Sequence, residues 1–138
     1  MATLTTLNSF VEALAEKVHN LGSDSLKVTL CAAANAPVAG NTQLTDLTAA
    51  SLTNLADATL TISSSSQTSG TYTLVLADKT LTASGGSVGP FRYVVVYNDT
   101  ATNDELIGYL DYGSDLTLSD GESLTVDWTS YAIQIAPA

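Results

Sequence analysis

Residues 91–98, FRYVVVYN, constrain this 138-residue chain more than any other stretch. Valine and tyrosine favour the pleated strand, where a branched or aromatic side chain packs well against its neighbours. Successive side chains on a strand point to opposite faces, so an uninterrupted apolar run must be covered on both. The run is therefore expected to be a central strand of a sheet that is buried on both sides.

The rest of the chain fits such a sheet. Leu26, Val28 and Leu30 alternate with Lys27, Thr29 and Cys31, which predicts a half-buried strand. Strand-like runs recur at 58–63, 71–77, 79–84, 105–112, 115–119, 123–128 and 131–136. Between them stand the turn signals SSSSQTSG, ASGGSVGP, NDTATND, YGSD and SDGE. Residues 32–54, with Pro37, Gly40 and Asn41, read as a long connection. Many short strands with this punctuation predict a mainly β fold, an antiparallel β-sandwich or jelly roll, in a single domain over 1–138. SSSSQTSG is low in complexity, but strands flank it so closely that it reads as a turn and not as a linker.

One helix is expected, over 9–21. Ser9 and Glu12 have the spacing of a capping box, and Phe10, Leu14, Val18 and Leu21 make one apolar stripe. Gly22 supplies a stop, and His19 falls in the last turn, where it suits the helix dipole. A helix this short must lie on a sheet or a partner.

Charge excludes several functions. Fourteen acids against Lys17, Lys27, Lys79 and Arg92 give a net charge of −10. Four scattered cations form no stripe that could replace phosphate counterions, so no nucleic acid and no anionic membrane is expected as a partner. Cys31 is the single cysteine, which rules out an intrachain disulfide. The N-terminus lacks the basic and apolar regions of a signal peptide, so synthesis in the cytoplasm is expected. Charged residues are only 13% of the chain and mean hydropathy is +0.20, which fits a surface partly covered by neighbours.

No catalytic, cofactor-binding or metal-ligating residue is nominated. The carboxylates Asp99, Asp104, Glu105, Asp111 and Asp115 crowd one segment, but they lack the ligand order of an EF-hand. They read as solvated turn residues, with a calcium site of other geometry as the alternative. Any carboxylate pair proposed for a glycosidase would be picked from fourteen acids and so carries little information. One His and one Cys cannot form an ordinary structural zinc site, and no nucleophile motif accompanies His19. Cys31 reads as a small packing residue. Tyr93, Tyr97, Tyr109, Tyr112, Trp128 and Tyr131 could line a sugar platform, although tyrosines on strands are commonly core or rim residues.

Three stretches, FVEALAEKVHNLGSDSLKVTL, SSSSQTSGTYTLVLAD and GPFRYVVVYNDTATNDELIGYLDYGSDLTLSDGESLTVDW, together resemble the capsid cement (decoration) proteins of tailed bacteriophages. The resemblance runs from Phe10 to about Trp128 and rests on general organisation, not on a catalytic signature. It implies a structural virion protein, not an enzyme. Such a protein sits on the outer surface of the head, binds the major capsid protein and bridges neighbouring capsomers, with self-association as a homodimer. The alternative function is a carbohydrate-binding β-sandwich module on a virion surface.

Overall fold

A computed structural model of the chain describes residues 3–128 and 130–138. In chain order the elements are β1 (Thr5–Thr6), α1 (Asn8–Ala15), β2 (Leu26–Cys31), β3 (Ile62–Thr68), β4 (Thr71–Leu76), β5 (Lys79–Thr82), β6 (Val88–Asn98), β7 (Leu106–Leu118), β8 (Ser123–Val126) and β9 (Ile133–Ile135). Short 3₁₀ turns at Ala33–Asn35 and Leu44–Asp46 interrupt the connection after β2. The fold is mainly β, with antiparallel sheets in a sandwich-like arrangement and one short α-helix.

The valine run is central, as its composition requires. The largest sheet has the order β1-β7-β6-β2, so β6 pairs on both edges, Val94 with Leu30 on β2 and with Leu110 on β7. Phe91, Val94 and Val96 enter the main core, which they share with Val28, Leu30, Ile107 and Leu110. The opposite layer consists of β3-β4-β9 and β5-β8, which send Leu74, Leu76, Ile133, Leu81 and Val126 into that core. Tyr93, Val95 and Tyr97 point the other way, into a second cluster with Leu7, Cys31 and Leu106.

The connection over 32–54 helps to cover this second cluster, through Leu44 and Leu47. Backbone bonds seat it: Leu44 N–H donates to the Asp104 carbonyl at 3.1 Å, and Leu106 N–H to the Thr42 carbonyl at 2.9 Å. The segment weakest in strand character thus completes the burial that the strongest strand demands.

Three local expectations need correction. The helix ends at Ala15, not at 21, because Lys17 takes the left-handed conformation (φ 67°). Val18 N–H then donates to the Ala13 carbonyl at 2.8 Å and Lys17 N–H to that of Leu14 at 3.4 Å, a Schellman closure five residues before Gly22. No side chain caps the N-terminus, where Leu7 stands and Ser9 contacts the Asn41 carbonyl instead. A left-handed lysine carries a steric cost that glycine lacks, so Lys17→Gly is expected to stabilise the fold by about 1 kcal/mol. Thermal melts of the two proteins check this.

Second, SSSSQTSG is mostly strand. Only Ser69 and Gly70 turn, with φ of 50° and 84°, and Thr68 pairs directly with Thr71. This is a two-residue hairpin loop, and left-handed backbone at both positions is what its geometry needs. Third, 105–112 and 115–119 belong to one strand. Tyr93 pairs with Asp111 and Phe91 with Leu116, so Arg92 alone faces the excursion Tyr112–Asp115. The turn signal YGSD is spent there, as a bulge in β7 with Gly113 at φ 84°.

Residues 58–60 also depart from the expected strand. They lie along the outer edge of β2, where Val28 N–H donates to the Ala58 carbonyl and Leu60 N–H to that of Leu26, each at 2.9 Å. The chain then enters β3 in the other layer, which makes this stretch a corner of the sandwich.

At the opposite edge, Gly108 lets β1 approach. A Cβ at residue 108 would lie 2.5 Å from the Thr5 carbonyl oxygen and 3.0 Å from Leu4 Cγ. Gly108→Ala is therefore expected to push β1 off β7 and to destabilise by about 1–3 kcal/mol. Faster amide exchange at Thr5–Leu7 with an unchanged β6 would locate the damage.

Candidate functional site

The acidic segment is built as a set of separate local contacts. Lys27 Nζ lies 3.0 Å from Asp99 Oδ2, across the end of the β2–β6 pair. Arg92 grips Asp111 with both carboxylate oxygens, Nε to Oδ1 at 2.7 Å and a terminal nitrogen to Oδ2 at 2.9 Å. The guanidinium beside it holds the Asp111 carboxyl below the usual carboxylate range, with help from Gly113 N–H. Asp115 accepts from Ala33 N–H at 2.8 Å, tying the β7 excursion to the turn after β2. Glu105 accepts from Asn103, at both its backbone and its side chain. Asp104 sits at φ 51° in the turn before β7.

These carboxylates are therefore spread along a rim. Among the described residues no three His, Cys, Asp or Glu side chains gather as a metal site would need. Added calcium or EDTA is expected to leave the melting temperature in place. A rise with calcium of more than about 5 °C, roughly 1 kcal/mol in a domain of this size, would reveal a cation site.

The tyrosines do not form an open platform. Tyr93 and Tyr97 are buried in the second cluster, and Tyr93 meets Tyr109 edge-on at 5.8 Å. Trp128 is buried in the main core and Tyr112 packs against it. Tyr131 is exposed. Cys31 is fully buried, and that burial pushes its thiol pKa up, away from reactivity.

His19 needs correction too. It lies beyond the helix, buried, with its ring stacked on Phe10 at 5.6 Å. Its partner is Asn98, a residue that sequence reasoning passed over. The Asn98 Oδ1 accepts from Thr100 N–H at 3.0 Å and Ala101 N–H at 3.2 Å, so its amide nitrogen must be the donor on the other side. That nitrogen donates to Asp24 Oδ2 at 2.7 Å and to His19 Nδ1 at 3.0 Å. Nδ1 must then be an acceptor, which leaves the imidazole neutral with its proton on Nε2. Burial lowers the His19 pKa, in agreement. An asparagine closing an apolar strand just before a turn was the available signal. The node joins the helix exit to the β6–β7 turn and has the character of a structural lock.

An open groove of about 420 Å³ runs between the helix exit and the three-stranded sheet, lined in part by Leu14, Lys17, Leu21, Tyr72 and Ile135. Among the described residues, no helix is long and apolar enough to cross a membrane.

The surface that stands apart is β3-β4-β9. Residues 58–77 and 128–138 contain no charged side chain, so the whole of this sheet is neutral in a chain of net charge −10. With Leu74 and Ile133 facing the core, the pairing turns Ser64, Ser66, Thr68, Thr71, Thr73 and Gln134 outward. Low complexity in the sequence concealed β3, because serine tracts carry no periodic signal, whereas β4 and β9 fall within the runs expected at 71–77 and 131–136. No known protein family, curated protein or solved structure matches the chain.

Proposed function

We propose that the protein is a capsid cement protein, which binds the outer surface of a phage head through the major capsid protein and, as a homodimer, bridges neighbouring capsomers. The observation that carries this reading is the division of the surface into an acidic rim and one neutral, hydroxyl-covered sheet. Neutral polar surface can dock on a shell without desolvating charge, which is the costly step in burying a charged face. The remaining acids suit the outside of the shell, since packaged DNA repels anions. The resemblance of three long stretches to cement proteins supports the same reading.

Bridging is what turns modest contacts into stability. Once one contact is made, the second forms at high effective concentration, and parting two capsomers requires breaking it too. The test strips the protein from heads with mild denaturant and measures shell rupture temperature before and after it is added back. Re-addition is expected to raise the rupture temperature, and high salt is expected to release little protein. Equal rupture temperatures would sink the cement reading, and saturable binding on a glycan array would then favour a carbohydrate-binding module.

A further inference from the structure

We propose that β3 is the docking edge for a second copy of this chain, paired antiparallel with the β3 of its partner about a two-fold axis. The two three-stranded sheets would join into one of six strands. The inference rests on the self-association proposed above and names the surface that performs it.

An exposed strand edge is a template for pairing, and folded proteins usually block it with charge, proline, brevity or cover. The other edges here are blocked: β8 has four residues set between Glu122 and Asp127, and β7 beyond its pairing with β1 carries Asp111, Asp115 and the bulge at Gly113. The outer edge of β2 is bonded by Ala50 N–H, at 2.7 Å to the Leu30 carbonyl, as well as by the 58–60 corner. β1 has only two residues, and β9 has three followed closely by Pro137. β5 is bonded by Ala56 N–H, which donates to the Thr82 carbonyl at 3.1 Å. β3 has none of these devices. It runs for seven residues, Ser63–Thr68 are all exposed, and it holds no proline and no charge. Its single irregularity lies at the Ile62–Ser64 end, which leaves the remainder straight.

The hairpin register says which groups are bare. Thr68 and Thr71 flank a two-residue loop and so exchange both backbone bonds, as do Ser66 with Thr73 and Ser64 with Val75. Ser65 and Gln67 lie at the alternate positions, and their N–H and C=O groups point away from β4. The Leu74 carbonyl opposite Ser65 confirms the alternation, since it accepts from Ala132 N–H at 2.8 Å on the β9 side. Among the described residues no backbone bond reaches the outer edge of β3. Gly22 comes near β3 at the Ser65 side chain, where a Cβ on residue 22 would lie 3.5 Å from Ser65 Oγ.

Charge selects the occupant. A cationic partner would be drawn to the acidic rim, since nothing on this sheet attracts it. The outward side chains are mostly hydroxyls, so the pull must come from backbone pairing, and a strand equally free of charge is required. The β3 of a second copy supplies one. Two copies of net charge −10 repel each other, and contact through neutral sheets places this charge away from the interface. Antiparallel pairing of one strand with itself is isologous and closes as a dimer.

Sedimentation of the full chain over a range of concentrations and salt is the test, alongside Ser66→Lys. Wild-type protein is expected to dimerise more as concentration rises and as salt screens the repulsion. Ser66→Lys places a lysine on each side of the axis and should weaken the dimer about tenfold or more. That substitution lowers the net negative charge, so non-specific association would strengthen instead. Amide exchange at Ser65 and Gln67 should slow with concentration while Ser66, already bonded to β4, stays constant. Ser64→Lys serves if Ser66→Lys does not fold. A wild-type chain that remains monomeric at high salt overturns the proposal and leaves the head-rupture test to judge the cement reading by itself. A dimer that neither lysine weakens overturns the choice of edge while self-association stands.

Discussion

Val95→Asp is expected to prevent folding as completely as Val94→Asp. In a sandwich with one wet face, alternate residues of a strand tolerate charge, and one of these two valines would be such a position. Here both are fully buried, Val94 in the main core and Val95 against the second cluster. A carboxylate at either site would lose its water and meet no cation. That costs several kcal/mol at least, or it forces the group to take up a proton, against a total stability of about 5–15 kcal/mol. Both variants should accumulate as insoluble or unfolded chain, judged by circular dichroism and solubility. Thr73→Asp, on the outward face of the neutral sheet, should fold normally. A soluble Val95→Asp with a native melting temperature would show that the second cluster is open to solvent.

That two-sided burial was legible in the sequence, because FRYVVVYN leaves no polar face to turn to water. The covering of its second side was not. Residues 32–54 have no periodicity of their own, and Leu44 and Leu47 are seated by the backbone bonds from Leu44 to Asp104 and from Leu106 to Thr42. Tertiary bonding of this kind leaves no local trace. The helix was overrun for a related reason. Leu21 continues the apolar spacing because it packs into the core after the chain has turned, while Val18 is half-buried, so the period survived a break that Lys17 alone makes. The serine tract shows the reverse case, a strand without a strand's signature, since its register comes from the two-residue loop beside it and not from alternation. Of the candidate surfaces, the acidic rim was visible as composition, whereas its division into separate ion pairs and caps needed the pairing of β6 with β7. The neutral sheet follows from the absence of charge in two distant segments, which only the topology brings together.

Asn98→Ala is expected to cost about 3 kcal/mol or more, and about 10 °C in melting temperature. The side chain is fully buried and serves four partners. Truncation orphans the Thr100 N–H at the mouth of the β6–β7 turn, leaves Ala101 N–H only its 3.3 Å bond to the Asn98 carbonyl, and takes a donor from both Asp24 and His19. A leucine would fill the space better but leave the same groups unpaired, so Asn98→Leu should be no milder. The variants should also differ from wild type in their response to acid. Burial holds His19 neutral in the folded state, with its pKa below the ordinary 6.5, whereas the unfolded chain takes up the proton at that ordinary value. The stabilisation is therefore complete above about pH 6.5 and declines as pH falls below it, towards the lowered folded-state pKa. Most exposed carboxylates titrate lower, so the interval from about pH 5 to 6.5 isolates the histidine. Protonation would place a hydrogen on Nδ1, facing the Asn98 amide hydrogens, so the His19–Asn98 contact would have two donors and no acceptor while Asp24 still accepts from the amide. Without Asn98 that clash disappears, so Asn98→Ala should be less stable throughout yet lose less with acid. Urea melts at pH 7.5, 6.5 and 5.5 for wild type, Asn98→Ala and His19→Gln would separate the effects. His19→Gln is expected to remove most of the slope in that interval. Equal slopes in all three proteins would mean that His19 takes up no extra proton on unfolding, and the assigned tautomer would fall with it.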